Sequence, residues 1–156
     1  MNIALLGAES SGKSSLAQAL VAEIRAIDGA PPVVWVPETL RLWCEARGRT
    51  PLRHEQADIL QLHHTHMTEA RQQAGQDTWL IADTTPLMTA VYSQHYFSDT
   101  SLYTHAWHAQ RNFEVTLLMG LDLLWQADGF WRDGSATHQA VDNLLRTQLV
   151  HAGLGY

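Results

Sequence analysis

Only one of the 156 residues is cysteine and only one is lysine. The lone Cys44 excludes an internal disulfide and fits a reducing, cytoplasmic setting. It lies beside Trp43 in a predicted helix, where a small packed residue is expected, and no nucleophile motif surrounds it. Long apolar runs are missing too. None approaches the roughly 20 residues of a membrane span, and the first residues lack the basic region of a signal peptide. Basic residues are scarce: Lys and Arg total 10 against 16 Asp and Glu, for a formal net charge of −6 and a pI near 5.8. With no basic stripe, a nucleic-acid backbone is excluded as the expected partner. What remains is an ordinary globular composition, 46% hydrophobic and 17% charged, at a length that suits one domain with a substantial core. A homo-oligomer is compatible with it.

The single lysine, Lys13, stands in Gly7-Ala8-Glu9-Ser10-Ser11-Gly12-Lys13-Ser14, while the other nine basic residues are arginines. This segment fits the phosphate-binding loop (P-loop) pattern G-x-x-x-x-G-K-[ST]. The apolar run Ile3-Ala4-Leu5-Leu6 precedes it and a helical pattern follows. Gly7 and Gly12 permit backbone conformations that side chains forbid. Successive amides then form an anion-binding nest at the positive end of the next helix. In such a loop Lys13 reaches the β- and γ-phosphates of ATP, and the Ser14 hydroxyl ligates Mg²⁺.

Apolar runs predict strands over 2–6, 33–36, 79–82 and 115–121. Helical spacing predicts helices over 13–27, 38–47, 53–74, 86–96, 101–111 and 136–151. The alternation implies an α/β fold of the P-loop NTPase type, three layers with a parallel sheet flanked by helices on both faces. Ligands of such sheets bind outside the carboxyl ends of the strands. The residues just past each apolar run are polar. Asp83 follows the third run, as a second Mg²⁺ contact or as a helix cap. Glu38 follows the second, placed to orient an acceptor hydroxyl and take its proton, with Arg41 three residues on to hold substrate or pair with Glu38. Spacing alone leaves a surface ion pair equally open. Arg132, in the glycine-punctuated segment after the fourth run, is placed as a lid arginine or an exposed loop residue. Trp125 and Trp131 beside it are candidates to stack on a flat heterocycle, whereas Trp79 and Trp107 are expected in the core. His63, His64 and His66 are expected to be packed or solvated rather than metal ligands.

With these residues in place, the chain resembles the nicotinamide ribonucleoside kinase domain of bacterial NAD-biosynthesis proteins. Four blocks carry the likeness: residues 7–15, Pro37-Glu38-Thr39-Leu40-Arg41, Ile81-Ala82-Asp83-Thr84-Thr85 with Thr89 beyond, and the set Trp125, Asp128, Gly129 and Arg132. The resemblance implies a kinase that uses ATP and Mg²⁺ to phosphorylate a nucleoside-like acceptor, with nicotinamide riboside as the type substrate. By this likeness Gly7, Glu9, Ser10, Ser11, Gly12, Lys13, Ser14 and Ser15 bind ATP, and Ser14 and Asp83 hold the metal. Glu38, Arg41, Thr84, Trp125 and Asp128 bind the acceptor; Lys13, Glu38, Asp83 and Arg132 are the catalytic set. Two differences stand out. Thr85 replaces a family aspartate, and the chain ends at Leu154-Gly155-Tyr156 where relatives continue into a strand near the adenine. The expectation is the kinase step alone, with a partner subunit available to complete the nucleotide site. An ATP-binding regulator or slow ATPase, and a kinase for another small metabolite, are the alternatives.

Overall fold

The computed structural model describes residues 1–75, 77–123 and 135–156. Its elements run β1 (Asn2–Leu6), α1 (Lys13–Ala26), β2 (Val33–Val36), α2 (Thr39–Arg47), a 3₁₀ turn at Arg53–Glu55, α3 (Gln56–Ala74), β3 (Trp79–Asp83), α4 (Pro86–Phe97), α5 (Tyr103–Gln110), β4 (Val115–Leu118) and α6 (Ser135–His151). The four strands form one parallel sheet in the order β2-β3-β1-β4.

Strand residues alternate between the two faces of the sheet. Ile3 and Leu5 join Ala17, Val21 and Ile24 of α1 in one apolar cluster. Leu6 joins Leu87, Met88, Val91, Val141, Leu145 and Leu149 of α4 and α6 in the other. With both faces covered, β1 reads as a continuous apolar run rather than an alternating one. This is the three-layer arrangement expected of the P-loop NTPase type.

Element boundaries moved where a neighbour decides them. β4 stops at Leu118 although the apolar run continues to Leu121. Its partner β1 turns away after Leu6, so the last link between them is Met119 N–H to the Leu6 carbonyl at 2.8 Å. The predicted helix over 53–74 begins as a tight 3₁₀ turn. There the Glu55 carboxylate accepts from Leu52 N–H at 2.8 Å and from both Arg49 guanidinium nitrogens at 2.7 Å.

Candidate functional site

The pairing register brings three loops to one edge of the sheet. Leu5 pairs with Asp83, Leu6 with Leu118, and Val36 with Ala82. Residues 7–14, Asp83 and Glu38 therefore leave adjacent strands at the same, carboxyl end. Gly7 has φ +154°, and a Cβ there would lie 2.8 Å from Met119 Cβ and 2.8 Å from Ser11 Oγ. Glycine is thus required by close approach as well as by conformation. Ser10 at φ +56° and Gly12 at φ +83° bend the intervening chain into the concave form of an anion nest. Gly12 caps α1 with no side-chain hydrogen bond, so the positive end of the helix opens onto the nest.

The Lys13 ammonium folds back over this loop. Its Nζ donates to the Ala8 carbonyl at 2.8 Å, where Ser11 Oγ also donates at 2.8 Å, and the side chain is buried. Ser14 and Glu9 are half-buried beside it, whereas Ser15 sits exposed on the first turn of α1.

Asp83 is the last residue of β3 and is 1% exposed. Its Oδ1 is buried with no hydrogen-bond partner among the described residues. It is not the cap of α4: Thr85 is, accepting from Leu87 N–H at 3.3 Å with Pro86 opening the helix. An unpartnered buried carboxylate oxygen is costly unless a cation or water meets it. The donor set of Ser14 hydroxyl and Asp83 carboxylate, both oxygen, fits Mg²⁺. Among the described residues no group of three or more His, Cys, Asp or Glu is placed to hold a metal ion. Thr85, where the resembled kinases carry an aspartate, is fully buried. Its hydroxyl donates to Gln110 Oε1 at 2.6 Å, and Gln110 Nε2 donates to Thr116 Oγ1 at 3.0 Å.

Glu38 occupies the N-cap position of α2 with no side-chain capping bond. Arg41 donates from Nε to Glu45 at 3.0 Å, with both side chains about half exposed, an i,i+4 pair worth roughly 0.3–0.5 kcal/mol. Cys44 is buried in the same helix. Burial, then the charges of Glu38, Glu9 and Glu45, push its thiol up to about 11. It is a packed thiol rather than a nucleophile. Glu9 of the loop and Glu38 thus both lie within electrostatic reach of Cys44.

Sequence reading missed how α3 ties these loops together. His63, 1% exposed, hydrogen-bonds through its ring to the backbone of Thr84, next to Asp83. His66, one turn on, meets the Thr39 hydroxyl at 3.0 Å, next to Glu38. Thr84 itself has φ +70°, a conformation that a β-branched residue rarely adopts, and its N–H donates to the Leu5 carbonyl at 3.1 Å. The only sequence signal was a pair of histidines three residues apart on one helix face.

Burial first, and the nearby His66 second, hold the His63 imidazole down at about 4 from an ordinary 6.5. The folded chain therefore excludes a proton that the unfolded chain binds between those values. Stability should fall as pH drops from about 6.5 to about 4, by up to ~3 kcal/mol from this group. Urea unfolding at stepped pH should show a flatter slope across that window for His63→Gln than for the parent. An identical slope would contradict the assignment.

Trp125, Asp128, Gly129, Trp131 and Arg132 lie outside the described residues. Trp79 and Trp107 are partly buried and pack against the two core clusters. Among the described residues no helix is long and apolar enough to cross a membrane. Comparison with known families finds that the model described as "AAA domain" matches residues 2–156. No curated protein matches the chain.

Proposed function

Because the chain belongs to the AAA domain family of P-loop proteins, we propose that it binds ATP with Mg²⁺ and transfers the γ-phosphoryl group to a small nucleoside-like acceptor. Nicotinamide riboside, giving the mononucleotide, is the acceptor we favour. The observation that carries this reading is the buried Asp83 Oδ1, unpartnered among the described residues and held in register beside a loop whose only lysine is folded onto the Ala8 carbonyl. On this reading the whole chain acts as a single cytoplasmic nucleoside kinase-like domain.

The nest amides and α1 N-terminus bind the phosphate tail, and the Lys13 ammonium leaves the Ala8 carbonyl for the β- and γ-phosphates. Ser14 and Asp83 would hold Mg²⁺, which when bound would neutralise phosphate charge. Glu38 accepts the proton of the acceptor hydroxyl as that oxygen bonds to the γ-phosphorus, and the bond to the β,γ-bridging oxygen breaks to release ADP. Arg132 closes over the phosphates as a lid, while Trp125 and Asp128 contact the acceptor together with Arg41 and Thr84.

Thr85 supports a second reading. With its hydroxyl committed to Gln110 it offers no carboxylate to a ribose, which favours a nucleotide-binding regulator or slow ATPase. Purified protein incubated with ATP, Mg²⁺ and a nucleoside panel separates the two. Riboside phosphate is expected from the kinase; ADP released at the same slow rate with and without nucleosides would establish the regulator instead.

A further inference from the structure

The main chain decides where the Asp83 carboxylate lies. Its Oδ1 makes no hydrogen bond among the described residues, so no side-chain partner there sets the place of that oxygen. On one side the strand fixes the residue, through the pairing of Asp83 with Leu5. On the other side stands Thr84 at φ +70°, a conformation that a β-branched residue keeps only when its surroundings hold it. Two contacts do so. Thr84 N–H donates to the Leu5 carbonyl at 3.1 Å, and the Thr84 backbone also meets the ring of His63.

His63 is 1% exposed, and its Nε2 has no hydrogen-bond partner among the described residues. The bond to Thr84 is therefore made through Nδ1. It favours the protonated ring, so Nδ1–H donates and the Thr84 carbonyl accepts. Burial keeps the ring neutral at neutral pH, which leaves it one N–H, and this contact takes it. An apolar side chain would fill the same space without burying an unmatched nitrogen. What it would not supply is the donor to Thr84. One turn on, His66 meets the Thr39 hydroxyl at 3.0 Å, so the same helix carries its own control.

We propose that His63 is a positioning residue for the metal site: by holding the Thr84 carbonyl it keeps Thr84 in its left-handed conformation, and so holds the Asp83 carboxylate where a divalent cation on the nucleotide would meet it. The proposal rests on the nucleotide-and-metal part of the function proposed above and is independent of the acceptor. Residues that orient a metal ligand commonly set metal affinity by roughly 10–100-fold. Here the influence passes through one peptide unit, from the Thr84 carbonyl to the Asp83 backbone.

The test measures binding of a non-hydrolysable ATP analogue to the full chain by calorimetry, once with Mg²⁺ and once with EDTA. The ratio of the two affinities reads the metal's share. His63→Gln carries its N–H one bond beyond the place of Nδ1, and the ratio should fall about tenfold. Affinity in EDTA, which reads Lys13 and the nest, should stay at the parent's value. His63→Asn puts an N–H at the place of Nδ1 and should restore the ratio. A packing role alone gives the opposite order, because asparagine leaves the larger cavity. His66→Gln should keep the parent's ratio. In a Thr84→Gly background, where the backbone adopts φ +70° without strain, His63→Gln should cost the ratio less. Equal ratios for the Gln and Asn variants, or the same loss in the Thr84→Gly background, would overturn the proposal. So would a His63→Gln protein that loses binding in EDTA as well, since the histidine would then serve the fold. If Mg²⁺ brings the parent itself no gain in affinity, the metal reading fails and the proposal falls with it.

Discussion

Replacing Lys13 by alanine should weaken ATP binding by about 100-fold, since hydrogen bonds to a charged group are worth up to ~3 kcal/mol. The protein without nucleotide should lose little. In that state the buried ammonium meets the Ala8 carbonyl, and removing it also removes the cost of burying a charge. The two effects therefore separate. A thermal melt without nucleotide should stay near the parent's, while the rise in Tm that ATP produces should largely disappear. Lys13→Arg should not restore binding, because a planar guanidinium does not fit where a compact ammonium packs against the loop. Full ATP affinity in Lys13→Ala would mean that the anion sits elsewhere.

The second large effect concerns the acceptor. Glu38→Gln should lower kcat by about 10²–10⁴-fold, the usual contribution of a positioned proton acceptor. ATP affinity should be unchanged, because Glu38 leaves β2 and not the phosphate loop. The helix should survive, since the Glu38 side chain makes no capping bond to α2. The Cys44 thiol provides an internal control. Glu38 is the largest charge contribution holding that thiol up, after burial itself, so its pKa should fall in the variant. A maleimide titration would follow it. An altered Cys44 titration together with unchanged kcat would remove Glu38 as the base and leave the fold intact.

Much of this architecture was legible because local pattern and tertiary role coincide. The runs at Asn2–Leu6 and Val33–Val36 are short, apolar and bounded by turn residues, and the strands occupy those residues. The loop was legible because an anion nest needs glycine at fixed positions, and Gly7 is so tightly packed that no side chain fits. What was not legible depended on partners distant in sequence. The end of β4 is decided by where β1 turns away. Asp83 was legible as a metal contact or as the cap of α4, and only the fold shows that Thr85 takes the capping role. Thr84 at positive φ runs against the preference of a β-branched residue, so no propensity argument could have found it. The bracket of His63 and His66 joins segments about 20 to 30 residues away in the chain, beyond any local pattern.

One ammonium carries the central claim, and the composition makes it observable. Because Lys13 is the only lysine, protein labelled with [¹⁵N]lysine at the side chain gives a single Nζ resonance. On titration with ATP and Mg²⁺ that resonance should shift and saturate at one nucleotide per chain, as the ammonium exchanges the Ala8 carbonyl for phosphate. An Nζ signal that stays in place while ATP is bound, or at ATP concentrations that saturate known P-loop proteins, would contradict the account.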